Sequence, residues 1–232
     1  MGMKLTRNDV QAWLDKVAPD SGITTLSQNA GLPRLRLFQQ MHAGNVPPST
    51  VVHIARSLGL DPLKQLNSFS VFKNVAPEAP SPKEISAFVP TSSMLRACAA
   101  RMDKSPLPGV EVEDDNSEYT PRFWFDLADD GKLREALKVD LKISQPTLWK
   151  MLRTRLREDV SLYVADYAGF PLSSALVVCG LLTPQECGWP ADYAKLWLRE
   201  VALSDLLEAT ERRLRDVAKI ERNREAFDDH LG

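Results

Sequence analysis

Apolar residues recur every three or four positions along most of this chain, and little of it alternates with a period of two. From Leu5 to Val17 the spacing is that of one helix face, with Thr6 placed to cap its start. Ser49 to Leu58 repeats the pattern behind Pro47-Pro48, which suits a helix start because the first N–H groups of a helix have no intrahelical partner. Residues 75–82, Val-Ala-Pro-Glu-Ala-Pro-Ser-Pro, read as a linker. Ser81 and Glu84 then form a capping box for a short helix that Pro90 ends, and Ser92 to Met102 predicts a second. Residues 103–121 hold four Pro or Gly and the run Glu111-Val112-Glu113-Asp114-Asp115-Asn116, a second and acidic linker. From Ala191 to about Ala226 no Pro or Gly interrupts the pattern, which predicts one long helix with Leu196, Leu203, Leu207, Leu214 and Val217 near one face. The expected fold class is all-α.

The pattern also repeats. At an offset of 111, Trp13 meets Trp124, Leu14 meets Phe125, Asp15 meets Asp126, Leu26 meets Leu137 and Leu32 meets Ile143. With one extra residue placed in the first copy between Leu32 and Phe38, the offset becomes 110. Phe38 then meets Leu148, Met41 meets Met151, Val52 meets Leu162, Ile54 meets Val164, Ala55 meets Ala165, Gly59 meets Gly169 and Leu66 meets Leu176. Matched apolar positions alone would carry little weight, since amphipathic helices share them. The in-register Trp, Asp, Ala and Gly pairs make a duplication the better reading. On apolar spacing, Trp13, Phe38, Trp124, Trp149 and Met151 are assigned to the core.

In the first copy, Leu26-Ser-Gln-Asn-Ala30-Gly31-Leu32-Pro33 is followed by Arg34 to Met41, by Gly44-Asn-Val-Pro-Pro48-Ser49 and by Ile54-Ala55-Arg-Ser-Leu58-Gly59-Leu60. This resembles the helix, glycine turn, recognition helix and Gly-x-x-x-Pro-Ser loop of the lambda-repressor/Cro (Xre) family of DNA-binding domains. In the second copy, Leu137 to Ile143 followed by Ser144-Gln145-Pro146-Thr147-Leu148 is similar, as is Val164-Ala165 to Gly169. The resemblance covers about residues 5–70 and 120–180 and implies two helix-turn-helix domains, with a helical connector and a long C-terminal helix. The implied domains are 1–74, a connector over 75–119, and 120–232. Two positions depart from the family pattern: Pro33 stands where the family has Ser or Thr, and Lys142 where it has the turn glycine. A left-handed turn there costs a side-chain-bearing residue about 1 kcal/mol.

The length of 232 residues suits two domains, and the 44% apolar and 26% charged fractions are those of a globular chain. A net charge of -2 argues against holding nucleic acid by bulk charge. Resolved along the chain, however, residues 1–75 hold 8 Lys/Arg and 4 Asp/Glu, 76–131 hold 5 and 11, 132–158 hold 8 and 3, and 159–232 hold 8 and 13. Each basic island coincides with one candidate recognition helix. Solvated faces remain the plain alternative for such runs.

Given the resemblance, the second helix of each copy would lie in a major groove with its first turn at base edges. Arg34 and Arg36 suit the O6/N7 edge of guanine, with Gln39 and Gln40 beyond them. Gln145 suits adenine, and Thr147 suits the thymine methyl or a phosphate. Ser144 opens the second recognition helix. Lys150, Arg153 and Arg155 are assigned to phosphate, the alternative being that they complement a helix C-terminus. Thr25 and Gln28 lie where the family touches backbone phosphate. The expected partner is a double-stranded DNA operator with two unlike half-sites.

No Gly-rich phosphate loop, HExxH or nucleophile signature occurs, so no enzyme, cofactor or small-molecule ligand is expected. Cys98, Cys179 and Cys187 are widely spaced without CxxC, and His42, His53 and His230 share no metal spacing, so reduced packing thiols and no metal are expected. No secretory leader and no run of 18 apolar residues is present, which predicts a cytoplasmic protein without a membrane span. The resemblance implies a transcriptional repressor, akin to the immunity repressors of temperate phages. The alternative from another class is a protein-interaction module, an antitoxin or antirepressor, favoured by the acidic segments. A homodimer through the C-terminal helix and packing of that helix on its own chain both stand at this point.

Overall fold

The computed structural model describes residues 3–107 and 120–228. The acidic run Glu111–Asn116 and His230 lie outside them. In chain order the elements begin with β1 (Leu5–Thr6), α1 (Arg7–Val17), α2 (Ile23–Asn29), α3 (Arg36–His42), β2 (Asn45–Val46), α4 (Pro48–Ser57) and α5 (Pro62–Leu66). A 3₁₀ turn at Ser70–Phe72 precedes α6 (Pro82–Phe88) and α7 (Thr91–Met102). Then follow α8 (Thr120–Ala128), α9 (Leu133–Asp140), α10 (Gln145–Arg153), α11 (Glu158–Ala168) and α12 (Leu172–Val178), a 3₁₀ turn at Gln185–Cys187, α13 (Tyr193–Glu200) and α14 (Leu203–Asp228). Among the described residues the protein is all-α apart from β1 and β2, which pair antiparallel with Leu5 opposite Val46.

The chain forms two compact units, and neither is continuous in sequence. One comprises 1–80 with 128–191, the other 81–127 with 192–232. This division differs from the three consecutive segments 1–74, 75–119 and 120–232. The helices read as a connector, together with α8, share a unit with α13 and α14, while both copies' central helices share the first unit.

In the first unit, Thr6 caps α1 by accepting the Asp9 N–H at 3.2 Å. Val10, Trp13 and Leu14 are buried along one face of α1, and the Trp13 indole N–H donates to Gln65 at 3.0 Å. Leu26, Leu37, Met41, Val51, Ile54, Ala55 and Leu66 complete the core of this copy, each of these side chains but that of Ala55 contributing about 1.5–3 kcal/mol for full burial. The duplication reappears in backbone conformation. Helix α4 closes at Gly59 (φ +66°) with Leu60 N–H bonded to Ala55 O at 2.9 Å, and α11 closes at Gly169 (φ +68°) with Phe170 N–H bonded to Ala165 O at 2.8 Å. The three pairs, Ala55 with Ala165, Gly59 with Gly169 and Leu60 with Phe170, match at an offset of 110, and these left-handed caps are where glycine matters.

In the second unit the capping box forms as expected: Ser81 Oγ accepts the Glu84 N–H, and the Glu84 carboxylate accepts the Ser81 N–H. Glu84 is buried, and its other oxygen accepts the Trp124 indole N–H at 3.4 Å. A core of Val89, Met94, Ala97, Cys98, Ala194, Trp197, Leu198 and Leu206 lies among α7, α13 and α14.

The single long helix expected from Ala191 is instead two. Val201 is extended (ψ 141°), and Arg101 donates to Val201 O at 2.6 Å and Leu198 O at 3.5 Å. A side chain from α7 thus satisfies carbonyls that a continuous helix would have bonded internally. The break also rotates the buried face. Helix α14 buries Leu206, Thr210 and Arg213, while Leu207 and Leu214 of the expected seam are each 41% exposed. Arg213 donates to Ser86 O and lies over the Phe123 ring at 3.5 Å, and burial pushes its guanidinium down from its ordinary value.

The three cysteines are free and buried, and burial pushes the Cys179 thiol up to about 11 and that of Cys187 to about 12. Among the described residues, no helix is long and apolar enough to cross a membrane.

Candidate nucleic-acid interface

In the first copy, α2 ends at Ala30, and Gly31 turns the chain with φ +66°. Pro33 follows, and Arg36 N–H bonds Pro33 O at 2.7 Å, so Pro33–Arg36 forms a tight turn and α3 begins at Arg36 rather than Arg34. Proline offers no side-chain oxygen, and Leu35 at the N-cap makes no side-chain cap bond. Buried Ser27 on α2 replaces the cap: its Oγ accepts the Leu37 N–H at 3.4 Å and donates to Pro33 O at 3.3 Å.

In the second copy, Lys142 occupies the place of Gly31 and adopts the same left-handed conformation, φ +54°. Ser144 caps α10 directly, accepting the Thr147 N–H at 3.4 Å, and the two hydroxyls are 2.8 Å apart. Pro146 sits in the first turn, where the missing donor costs nothing.

The exposure pattern fixes the register between the copies. From Pro33 to His42 and from Ser144 to Arg153, buried and exposed positions coincide at an offset of 111 at every position but Gln40, which is half-buried where Met151 is buried. Leu37 matches Leu148, and Met41 matches Leu152, all four buried. The offset of 110 begins only at Val46 and Leu156, so the one-residue difference falls in the connection between α3 and α4, not between Leu32 and Phe38. Phe38 therefore matches Trp149. Both are exposed, at 54% and 38%, which corrects their assignment to the core. In this register Arg34 faces Gln145, Arg36 faces Thr147, Gln39 faces Lys150 and His42 faces Arg153.

Thr25 and Gln28 are exposed on α2, and Arg34, Arg36 and Gln39 are exposed along the turn and α3. Gln40 differs: its Oε1 accepts the Thr50 hydroxyl at 2.9 Å, so half of its amide is spent inside the protein. Ser144, Gln145, Thr147, Lys150 and Arg153 are exposed on α10. Arg155 is also exposed, and one of its donors is taken up by Cys179 O, with Glu158 at 3.9 Å.

One feature escaped the sequence reading. An open groove of about 420 Å³ runs between α9 and α10, lined by Arg134, Lys138, Lys142, Ser144 and Gln145 among others. Arg134 is held there by Asp129 at 2.6 Å and lies 5.4 Å from the Trp149 ring. The basic island over 132–158 was its only signal in the sequence.

No family model, curated protein or solved structure matches this chain. Its chemistry is read from its own geometry. The unit that carries α3 and α10 holds 16 Lys/Arg and 13 Asp/Glu, the other 13 and 18. Among the described residues, no cluster of His, Cys, Asp and Glu could hold a metal ion. The surfaces over 34–42 and 144–153 each offer cations, an amide and an exposed aromatic ring, Phe38 or Trp149, and the second adds the hydroxyls of Ser144 and Thr147, a set suited to hydrogen bonding and to phosphate.

Proposed function

We propose that the chain is a sequence-specific double-stranded-DNA-binding repressor that reads its operator with α3 and α10. The observation that carries this reading is the repetition, at one offset, of a helix, a left-handed turn and a second helix with the same exposure pattern, each on a basic island. An exposed helix of this width fits the major groove, with its first turn at base edges. Arg34 and Arg36 pair with guanine, Gln145 with adenine, and Thr147, its hydroxyl taken up by Ser144, presents its methyl to thymine. Lys150, Arg153, Thr25 and Gln28 hold phosphates and set orientation. Occupying an operator would exclude polymerase, as in the cytoplasmic immunity repressors of temperate phages, the type of lambda-repressor-like protein this chain resembles.

The test compares binding to a selected duplex and to random duplexes across a salt series. Gln145→Ala should relax preference at one base position at a cost of about 1–3 kcal/mol, while Lys150→Ala should weaken all duplexes alike and lower the salt slope by about one. Equal, sequence-independent losses for both variants would overturn the assignment of readers.

A second reading has one observation in its favour. The acidic unit exposes Leu207 and Leu214 seven residues apart on α14, a spacing that suits a homodimer or another protein partner, as in an antitoxin or antirepressor. Enrichment of no sequence from a random duplex pool would favour it.

A further inference from the structure

Resting on the DNA-binding reading, we propose that the two copies form a pseudo-dimer within one chain, related by an approximate two-fold, so that a single molecule reads two unlike half-sites in inverted orientation. The contacts all lie inside the first unit. Helix α5 of the first copy packs on the 3₁₀ turn Gln185–Cys187, the segment that follows α12. In exchange, Ser173 in the first turn of α12 donates to Glu78 O at 3.0 Å, in the segment that follows α5. Gly188 lies so close to that same segment that a Cβ there would sit 3.1 Å from Pro77. Each copy's fifth helix thus rests on the chain that leaves the other copy's fifth helix.

Such an exchange of roles marks an isologous contact. A head-to-tail contact would set one surface of the first copy against a different surface of the second. Two-fold-related readers meet DNA from opposite directions, which is why dimeric repressors of this docking type read inverted half-sites. The symmetry is broken once. Arg56 on α4 forks onto Glu186, with both bonds at 2.7 Å, and also reaches Leu181 O at 3.4 Å, whereas the residue equivalent to Arg56 is Asp166. The ion pair is made in one direction only, and it locks the two copies in a fixed relation.

The test uses the full-length chain and a pool of random duplexes of about 40 base pairs. Because the native thiols are buried, Asn29→Cys and Asp140→Cys, equivalent positions on α2 and α9, each accept an iron chelate that cuts nearby DNA. On the enriched duplex the inference expects one chain per duplex by mass and cuts from the two derivatives on opposite strands, mirrored about a centre. It also expects at least about a tenfold loss when about five base pairs, half a helical turn, are inserted at that centre. Arg56→Glu should shrink that spacing penalty, and Arg56→Glu with Glu186→Arg should restore it. Cuts on the same strand, two chains per duplex or no spacing penalty would overturn the pseudo-dimer and leave DNA binding standing. Enrichment of no sequence would overturn both.

Discussion

The turns before α3 and α10 reach one geometry with different residues. The first uses Gly31, a proline and a buried serine borrowed from α2, and the second uses Lys142 and a serine cap of its own. Position 27, which rescues the first turn, is matched by the exposed Lys138 in the second, where no rescue is needed. What the two share is the burial of Leu37 and Leu148, each six residues beyond the left-handed residue, so the core contact dictates where the chain bends, and the local residues only set how costly the bend is. A missing cap is tolerated when a neighbouring helix supplies the hydrogen bond, as Ser27 does, and a missing glycine at a conformational cost of about 1 kcal/mol.

The sharpest way to break this equivalence is through the core positions. Leu37→Ala and Leu148→Ala should each cost about 2–5 kcal/mol in chemical denaturation, while Phe38→Ala and Trp149→Ala should cost far less. A large loss at Phe38 with a small one at Leu37 would restore the other register. Next in size, Ser27→Ala should destabilise by about 1–2 kcal/mol, because it strands the Leu37 N–H, whereas Lys138→Ala at the equivalent site should be nearly neutral. Lys142→Gly should raise the melting temperature by an amount equivalent to about 1 kcal/mol, and Gly31→Ala should lower it by a similar step.

The smallest effect separates the copies by pH. Burial would raise the Glu186 carboxyl, but hydrogen bonds from Arg56 and from the Thr183 N–H outweigh it and hold it below its ordinary value near 4.5. Its contribution, about 0.5–1 kcal/mol for a partly exposed pair, is therefore present above pH 4.5 and is lost as pH falls through the lower folded value. Glu186→Gln should flatten that part of the stability profile, and an unchanged acid limb would show that the pair contributes nothing.

Much of this was legible in the sequence, because local rules govern it. Thr6, the Ser81–Glu84 box and Pro48 act within one helical turn, and the elements formed where these residues predict them. The left-handed turn at Lys142 also follows from its match to Gly31. Illegible were the features set by distant partners. The break at Val201 depends on Arg101, a hundred positions away, and the exposure of Phe38 depends on Leu37 occupying the core instead. Hydrophobicity alone cannot choose between two adjacent apolar residues on a short helix. At the candidate surface, residue types were legible, but one group each of Gln40 and Arg155 is taken up by Thr50 and Cys179, which no spacing rule announces.

The interleaving of the two units has a consequence for how the protein is made. Translation proceeds at about 5–20 residues per second, so roughly 5–20 s separate the emergence of Pro80 from that of Ala191. During that interval the nascent first copy has Arg56 and α5 without Glu186 and its turn, and the ribosome is extruding helices whose own partners, α13 and α14, are last to appear. A chain cut short before α10 carries half of the reading surface, and one cut between α10 and Glu186 carries both reader helices without the turn on which α5 rests, so the unit that holds them closes only when the chain has reached about residue 191.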